Sequence, residues 1–220
     1  MNAPELRVTS VAGQFGIDRF RTGYAPDMAR PREFDEDEVI DRARTAFWSQ
    51  GVAATSISAL SEATGLSVGS LYKAFSSKDE LCSITLDDYL RRARAQVAAT
   101  LDGAPSPRAG IRAWLDSAIA QATDASPTRG CYAVELATER AGSYDDVRTL
   151  LVDHDRAMRR LVSDAVGRAV DAGDLSGDPD AVALLLCTTV NGLMVEARKG
   201  ISDREARSVV DTMRGGSETS

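Results

Sequence analysis

The chain has 220 residues, 43% hydrophobic and 27% charged, which fits a soluble globular protein of one large or two small domains with ample length to bury a core. Its net charge of −7 and pI near 4.9 exclude a surface that is basic throughout, so any nucleic-acid binding rests on local cations, of which Arg30, Arg32, Lys73 and Lys78 are the candidates. Three cysteines, Cys82, Cys131 and Cys187, are odd in number and lack a C-x-x-C pair, which excludes a disulfide framework and a zinc site and points to reduced cytosol. No stretch is read as a membrane span and no basic-then-apolar leader opens the chain, so a cytoplasmic protein with no membrane partner is expected.

Residues 1–27 scatter Gly13, Gly16, Gly23 and Pro26 among polar residues without a period, which predicts a flexible arm. The first helix starts on a D-x-x-E box at Asp35 and Glu38, carries Val39, Ala43, Ala46 and Phe47 on one face, and closes at Gly51. In the stretch TSISALSEATGLSVGSLYKAFSSK, Ile57, Leu60 and Ala63 share one face and Gly65 frees the chain to turn. Leu66 plugs the corner, Ser67 caps the next helix, and Leu71 and Phe75 face inward one turn apart. Two short helices around a tight corner result. The outward face, Val68, Gly69, Ser70, Tyr72 and Lys73, is small, partly polar and ends in a cation, which suits a helix entering a DNA major groove N-terminus first.

A second box, Ser77 to Glu80, opens a long helix expected to reach Leu101. After Pro105 and Pro107, the residues Ile111, Trp114, Leu115, Ala118 and Ala122 mark an amphipathic helix that stops near Pro127. Gly130 and Cys131 open a short helix to Arg140. Ser143 and Asp146 start another, whose stripe is Val147, Leu150, Leu151, His154, Met158, Leu161, Ala165 and Val170, and Gly173 ends it. Asp178 before Pro179 caps a helix that is uncharged over residues 181–195 and is therefore expected to be buried nearly all round. Ser202 and Glu205 box a last helix with Ala206, Val209, Val210 and Met213 as a seam. No strand alternation occurs, so the fold class is all-α with about nine helices.

The run from Pro31 to Leu81 resembles the tetracycline-repressor (TetR) family of bacterial transcription regulators. The residues that carry the resemblance are Phe47 and Gly51, Thr55 and Ser56, Leu60, Gly65, Leu66 and Ser67, then Leu71, Tyr72, Phe75, Lys78 and Leu81. Ser61 stands where Ala is usual and Val52 where an aromatic is common. Many members begin like MARPREFDEDEV, so Met1 and Met28 are both candidate initiators. The resemblance implies an arm over 1–31, a three-helix DNA-binding head with a helix-turn-helix over 32–78, and an effector-binding and dimerisation domain over 79–220. It implies Ser56, Tyr72 and Lys78 on phosphates and Ser67, Val68, Ser70 and Lys73 near base edges, with Arg32 and Gly69 also among the DNA-binding residues. Plain N-capping is the alternative reading of Ser56, Ser67 and Ser77.

The implied activity is that of a homodimeric repressor that binds a palindromic double-stranded DNA operator and is released by a small-molecule effector. An effector-independent activator or architectural protein is the main alternative. A helical-bundle enzyme fares worse, because the chain has a single histidine and no G-x-S-x-G, phosphate-loop or H-x-x-x-H motif. No cofactor and no metal are expected. By resemblance the middle helices line an effector cavity, with Trp114, Tyr132, Tyr144 and Met194 as candidates beside their other reading as plain core. His154, on an apolar stripe, is either a core histidine or an effector contact. Cys131 and Glu135 belong to RGCYAVELATERA, which is similar to a Gly-Cys stretch in a branch of the family some of whose members respond to reactive electrophiles. Position in a first helical turn beside Arg129 favours a reactive Cys131 thiolate; a small buried hydrophobe is the alternative.

Overall fold

The structure, a computed structural model, describes residues 35–126, 130–140 and 145–215. The expectations for the arm, Arg30, Arg32, Pro127, Arg129, Ser143 and Tyr144 lie outside the described residues. Within them there are nine helices and no strand: α1 (Glu36–Gln50), α2 (Ile57–Thr64), α3 (Val68–Ala74), α4 (Lys78–Asp102), α5 (Pro107–Thr123), α6 (Tyr132–Arg140), α7 (Asp145–Asp171), α8 (Pro179–Lys199) and α9 (Asp203–Gly215).

Local signals set most of these bounds. The side chains of Ser56, Ser67, Ser77, Ser106 and Asp178 each accept from a backbone N–H at the start of α2, α3, α4, α5 and α8. Proline at the first position of α5 and α8 gives up an N–H that would have had no partner there. At α9, Ser202 and Glu205 exchange bonds, Ser202 N–H to Glu205 Oε2 at 3.0 Å and Glu205 N–H to Ser202 Oγ at 3.3 Å. The box at α4 is shifted by one residue, since Glu80 Oε2 accepts from Ser76 N–H at 2.7 Å.

The head buries Val39, Ile40, Ala43, Ala46 and Phe47 of α1 with Val52, Leu60, Leu71, Phe75 and Leu81. The body buries Trp114, Leu115 and Ile119 of α5 against Val162, Ala165 and Val166 of α7 and Leu186, Leu193 and Met194 of α8. Gly110 lets α5 cross close to the end of α4, because a Cβ there would lie 2.5 Å from the Leu101 carbonyl oxygen.

Two expectations are corrected at α8. This helix is long and apolar enough to cross a bilayer by length and composition, contrary to the reading that no segment is. It is also not buried all round. Ala183, Leu186, Leu193, Met194 and Ala197 face the core, whereas Leu184 at 47%, Leu185 at 55% and Val195 at 38% are exposed. The seam on α9 divides likewise: Ala206 and Val210 are buried and Val209 is 42% exposed.

Head and body are joined by a charge network. The Asp88 side chain on α4, 8% exposed, accepts from Arg44 of α1 at 3.0 Å and from Arg92 at 2.8 Å, and Arg91 also reaches it. Arg44 in turn bonds Asp41 at 2.8 Å. Only Asp88 and Arg44 are largely buried; loss of the Asp88 charge takes from Arg44 one of its two carboxylates, while Arg91 and Arg92 stay half in solvent. Asp88→Asn is therefore expected to lower unfolding stability by about 1–2 kcal/mol. A urea midpoint equal to that of the wild type would show that the arginines do not depend on this carboxylate.

Candidate nucleic-acid interface

The helix-turn-helix is built from local hydrogen bonds around one left-handed residue. Gly65, with φ of 74°, closes α2 by donating its N–H to the Ser61 carbonyl. A Cβ-bearing residue is disfavoured at that angle. Ser61, which departs from the family's usual Ala, donates its hydroxyl to the Leu66 carbonyl at 2.6 Å and so satisfies a turn oxygen. Thr64 Oγ1 donates to Leu60 O at 2.7 Å. Ser67 Oγ then accepts from Ser70 N–H at 3.1 Å and lies 2.9 Å from Ser70 Oγ. Leu71 and Phe75 are buried beneath α3.

With that side anchored, α3 turns Ser67, Val68, Gly69, Tyr72 and Lys73 to solvent, with Ser70 half-buried between them. Tyr72 is 53% and Val68 38% exposed, so both can reach a partner laid against α3. A Cβ at Gly69 would meet only Ser67 Oγ, at 3.9 Å, so a partner's surface can come close to the backbone there. Ser56 caps α2 through Ala59 N–H at 3.1 Å and is itself exposed. Capping and exposure coexist at Ser56 and Ser67.

Lys78 departs from the expected phosphate anchor. Its ammonium folds back under the head and donates to the carbonyls of Val52 at 2.9 Å and Thr55 at 3.0 Å. Two of its three donors thus hold the turn between α1 and α2. The helix start that was expected to present Lys78 to phosphate instead directs it inward.

The residues expected around an effector fall into separate surroundings. Trp114 and Met194 are filled core, 4% and 3% exposed, with Cys131 packed at the edge of the same cluster. Tyr132 is fully buried, its ring 5.7 Å from those of Trp48 and Tyr89, and its hydroxyl is 3.0 Å from Thr85 Oγ1. Burial pushes both tyrosine hydroxyls well above their ordinary range, so they remain protonated donors. Tyr89 donates to Cys131 Sγ at 3.4 Å, and Gln121 Nε2 reaches Gly130 O at 2.7 Å beside it. Glu135 pairs with Arg198 of α8 at 3.1 Å. His154 faces Arg94 at 3.4 Å; burial, then the guanidinium, pull its pKa down to about 4, which keeps it neutral near pH 7. The open outer face of α9, with Asp203, Arg204, Arg207, Ser208, Asp211 and Thr212, carries none of the expected effector residues.

Sequence reasoning missed Glu139. Its carboxylate, in the last turn of α6, accepts from Val52 N–H at 3.0 Å and Ala53 N–H at 2.6 Å, far away in the chain. A Glu near a helix end carries no signal of a partner more than eighty residues upstream.

The family described as bacterial regulatory proteins, tetR family, matches residues 39–83, and the tetracyclin repressor-like C-terminal domain matches residues 107–213. The chain belongs to the TetR family. The HTH-type transcriptional repressor ComR of Escherichia coli K12 is 27% identical over 186 residues, 83% of this chain and 89% of that relative. A solved structure of the TetR-family regulator CifR, in a cysteine-substituted form complexed with 26-bp double-strand operator DNA, is 33% identical with a TM-score of 0.74, covering 83% of this chain and 97% of that one. E. coli NemR in its reduced form shares the fold at 20% identity and a TM-score of 0.74, covering 81% of this chain and 94% of its own. The all-helical TetR fold and a role in transcription regulation follow.

The two lysines of this TetR head should behave differently on substitution. Lys73→Ala removes an exposed cation from the outward face of α3 and is expected to change the preferred base at one position of each half-site, by about 1–3 kcal/mol of discrimination. Lys78→Ala is expected to loosen the turn at residues 52–55 and lower the melting temperature. A randomised-duplex selection together with a thermal melt checks both, and a lowered melting point for Lys73→Ala with unchanged base preference would reverse the assignment.

Proposed function

We propose that this protein is a homodimeric repressor that binds a two-fold symmetric operator in double-stranded DNA and is released by a small-molecule effector. The observation that carries the reading is the outward face of α3: an N-terminus capped by Ser67, no acidic residue, and an exposed Val68, Tyr72 and Lys73. Such a face meets phosphates with helix-end N–H groups and base edges with short side chains. The structure of a 33% identical relative on operator DNA supports the same use. Ser56 and Tyr72 are the proposed phosphate contacts, and Ser67, Val68, Gly69, Ser70 and Lys73 the groove-facing set. Arg32 is proposed from its place before α1. The proposed domain bounds are 32–78 for the head and 79–220 for the body, with a cytoplasmic location.

Dimerisation is supported by what a single chain leaves uncovered. Leu184, Leu185 and Val195 of α8 and Val209 of α9 are apolar and exposed, on the uncharged helix and on the helix with the seam pattern. Covering them with the same helices of a second copy makes a four-helix contact and sets two α3 helices about 34 Å apart, one turn of DNA. A two-fold operator follows from that symmetry. Val209→Asp would bury a carboxylate in the contact; it is expected to give monomers by light scattering and to abolish operator binding. A dimer of unchanged mass would remove α9 from the interface.

Among the effector candidates Cys131 has a direct chemical test. It is half-buried at the start of α6, whereas Cys82 is buried and burial pushes the Cys187 thiol up to about 11. Alkylation with N-ethylmaleimide is expected to release the wild-type protein from operator and to spare Cys131→Ser, with Cys82→Ser and Cys187→Ser behaving as wild type. Equal release from all four would leave only a non-covalent effector.

A further inference from the structure

Although α6 has only nine residues, its side chains reach three other parts of the protein. Tyr132, in its first turn, meets Thr85 of α4. Glu135 pairs with Arg198 of α8 at 3.1 Å. One turn further on, Glu139 reaches the head.

The peptide groups it meets need a partner. α1 closes with Gly51 N–H on the Phe47 carbonyl, and α2 starts only at Ile57, so the turn between them lies outside both helical ladders. Glu139 accepts the N–H groups of Val52 and Ala53, one on each carboxylate oxygen. Lys78 donates to the carbonyls of Val52 and Thr55 from the opposite side. The Val52 backbone is therefore gripped at its N–H by the body and at its C=O by the start of α4, while its side chain is fully buried. Two charge-assisted bonds on adjacent N–H groups form a stiff, directional contact.

Building on the DNA-binding reading, we propose that Glu139 is a positioning residue for operator binding, the group through which α6 fixes the corner ahead of α2 and so sets how the head presents α3. Ser56, the cap of α2, lies three residues beyond Ala53, so release of the turn reaches α2 at once. α6 is also tied to α8 by Glu135 and Arg198. A shift of α6 against the body therefore pulls on the same turn that Lys78 holds to α4. Glu139 gives the head a route to the body separate from α4.

The test uses full-length wild type, Glu139→Ala and Glu139→Gln with an operator duplex selected from a random library by the wild type, and a scrambled duplex of the same length. Glu139→Ala is expected to bind operator about tenfold more weakly while scrambled DNA changes by less than about twofold. Glu139→Gln, which keeps one acceptor oxygen, should fall between. Amide exchange should speed up at residues 52–53 and over residues 57–74, and stay unchanged over residues 111–122 in α5. Operator affinity within about twofold of wild type overturns the proposal, as does a loss accompanied by faster exchange in α5, which would make Glu139 a general stabiliser. A wild type that selects no operator overturns the DNA-binding reading and this proposal with it, whereas a selected operator bound equally by Glu139→Ala overturns this proposal alone.

Discussion

The turn between α1 and α2 cannot satisfy its own backbone, and much of the head depends on how that deficit is met. Peptide N–H and C=O groups left without partners near a packed corner cost free energy comparable to lost hydrogen bonds. Here Thr55 returns its hydroxyl and its N–H to the Gly51 carbonyl, at 2.6 and 3.1 Å, Lys78 takes the Val52 and Thr55 carbonyls, and Glu139 takes the Val52 and Ala53 N–H groups. The corner is thus completed by residues remote in sequence. Head and body share one set of backbone bonds, and the Asp88 and Arg44 contact adds a second, purely side-chain, link between α1 and α4. A DNA-reading head joined in this way cannot change its tilt without disturbing residues of α4 or α6.

Much of the fold was legible because it is written in local rules. Gly65 in a left-handed conformation, Ser67 and Asp178 as caps, and proline at the starts of α5 and α8 act over four residues or fewer, and each left a mark in the sequence. The exposed face of α3 followed once Leu71 and Phe75 were assigned inward, because helical geometry fixes the opposite side. What could not be read were contacts between distant segments. Lys78 has the spacing of a phosphate ligand, and nothing in SSKDE tells that its ammonium turns toward the Val52 carbonyl. Tyr132 and Trp114 have the composition of a pocket wall and the burial of a core. Aromatic content gives the area available for contact but not what fills it.

The uncharged run of α8 shows how one pattern supports different structures. Length and hydropathy make it indistinguishable from a membrane span, and absence of charge suggests burial on every side. In the single chain only the face with Ala183, Leu186, Leu193 and Ala197 is covered. The uncovered face continues the same apolar stripe through Leu184, Leu185 and Val195. A helix that is apolar all round but half covered in one subunit is consistent in composition with burial shared between two copies. The sequence reports apolar residues on both faces, and the fold of one chain shows which of them it covers itself.

Charge places a further constraint on how this head can hold DNA. Between residues 36 and 83 acidic side chains outnumber basic ones, and Lys78 is occupied inside the head. Glu36, Asp37 and Glu38 lie in the first turn of α1, and Asp79 and Glu80 in the first turn of α4, where they complement the helix dipoles. The first turns of α2 and α3 carry no acid at all. Ser56 and Ser67 each take one first-turn N–H there, from Ala59 and Ser70, and both serines are exposed, so the positive ends of these two helices face solvent without a carboxylate beside them. Among the described residues of this head, the proposed phosphate contacts therefore draw on helix ends, hydroxyls and the exposed Lys73 more than on a basic surface. Such contacts depend on direction as well as on distance, and they tolerate less misplacement than a cloud of lysines would. That intolerance is the physical reason why the corner held by Lys78 and Glu139 matters to a surface that neither residue belongs to.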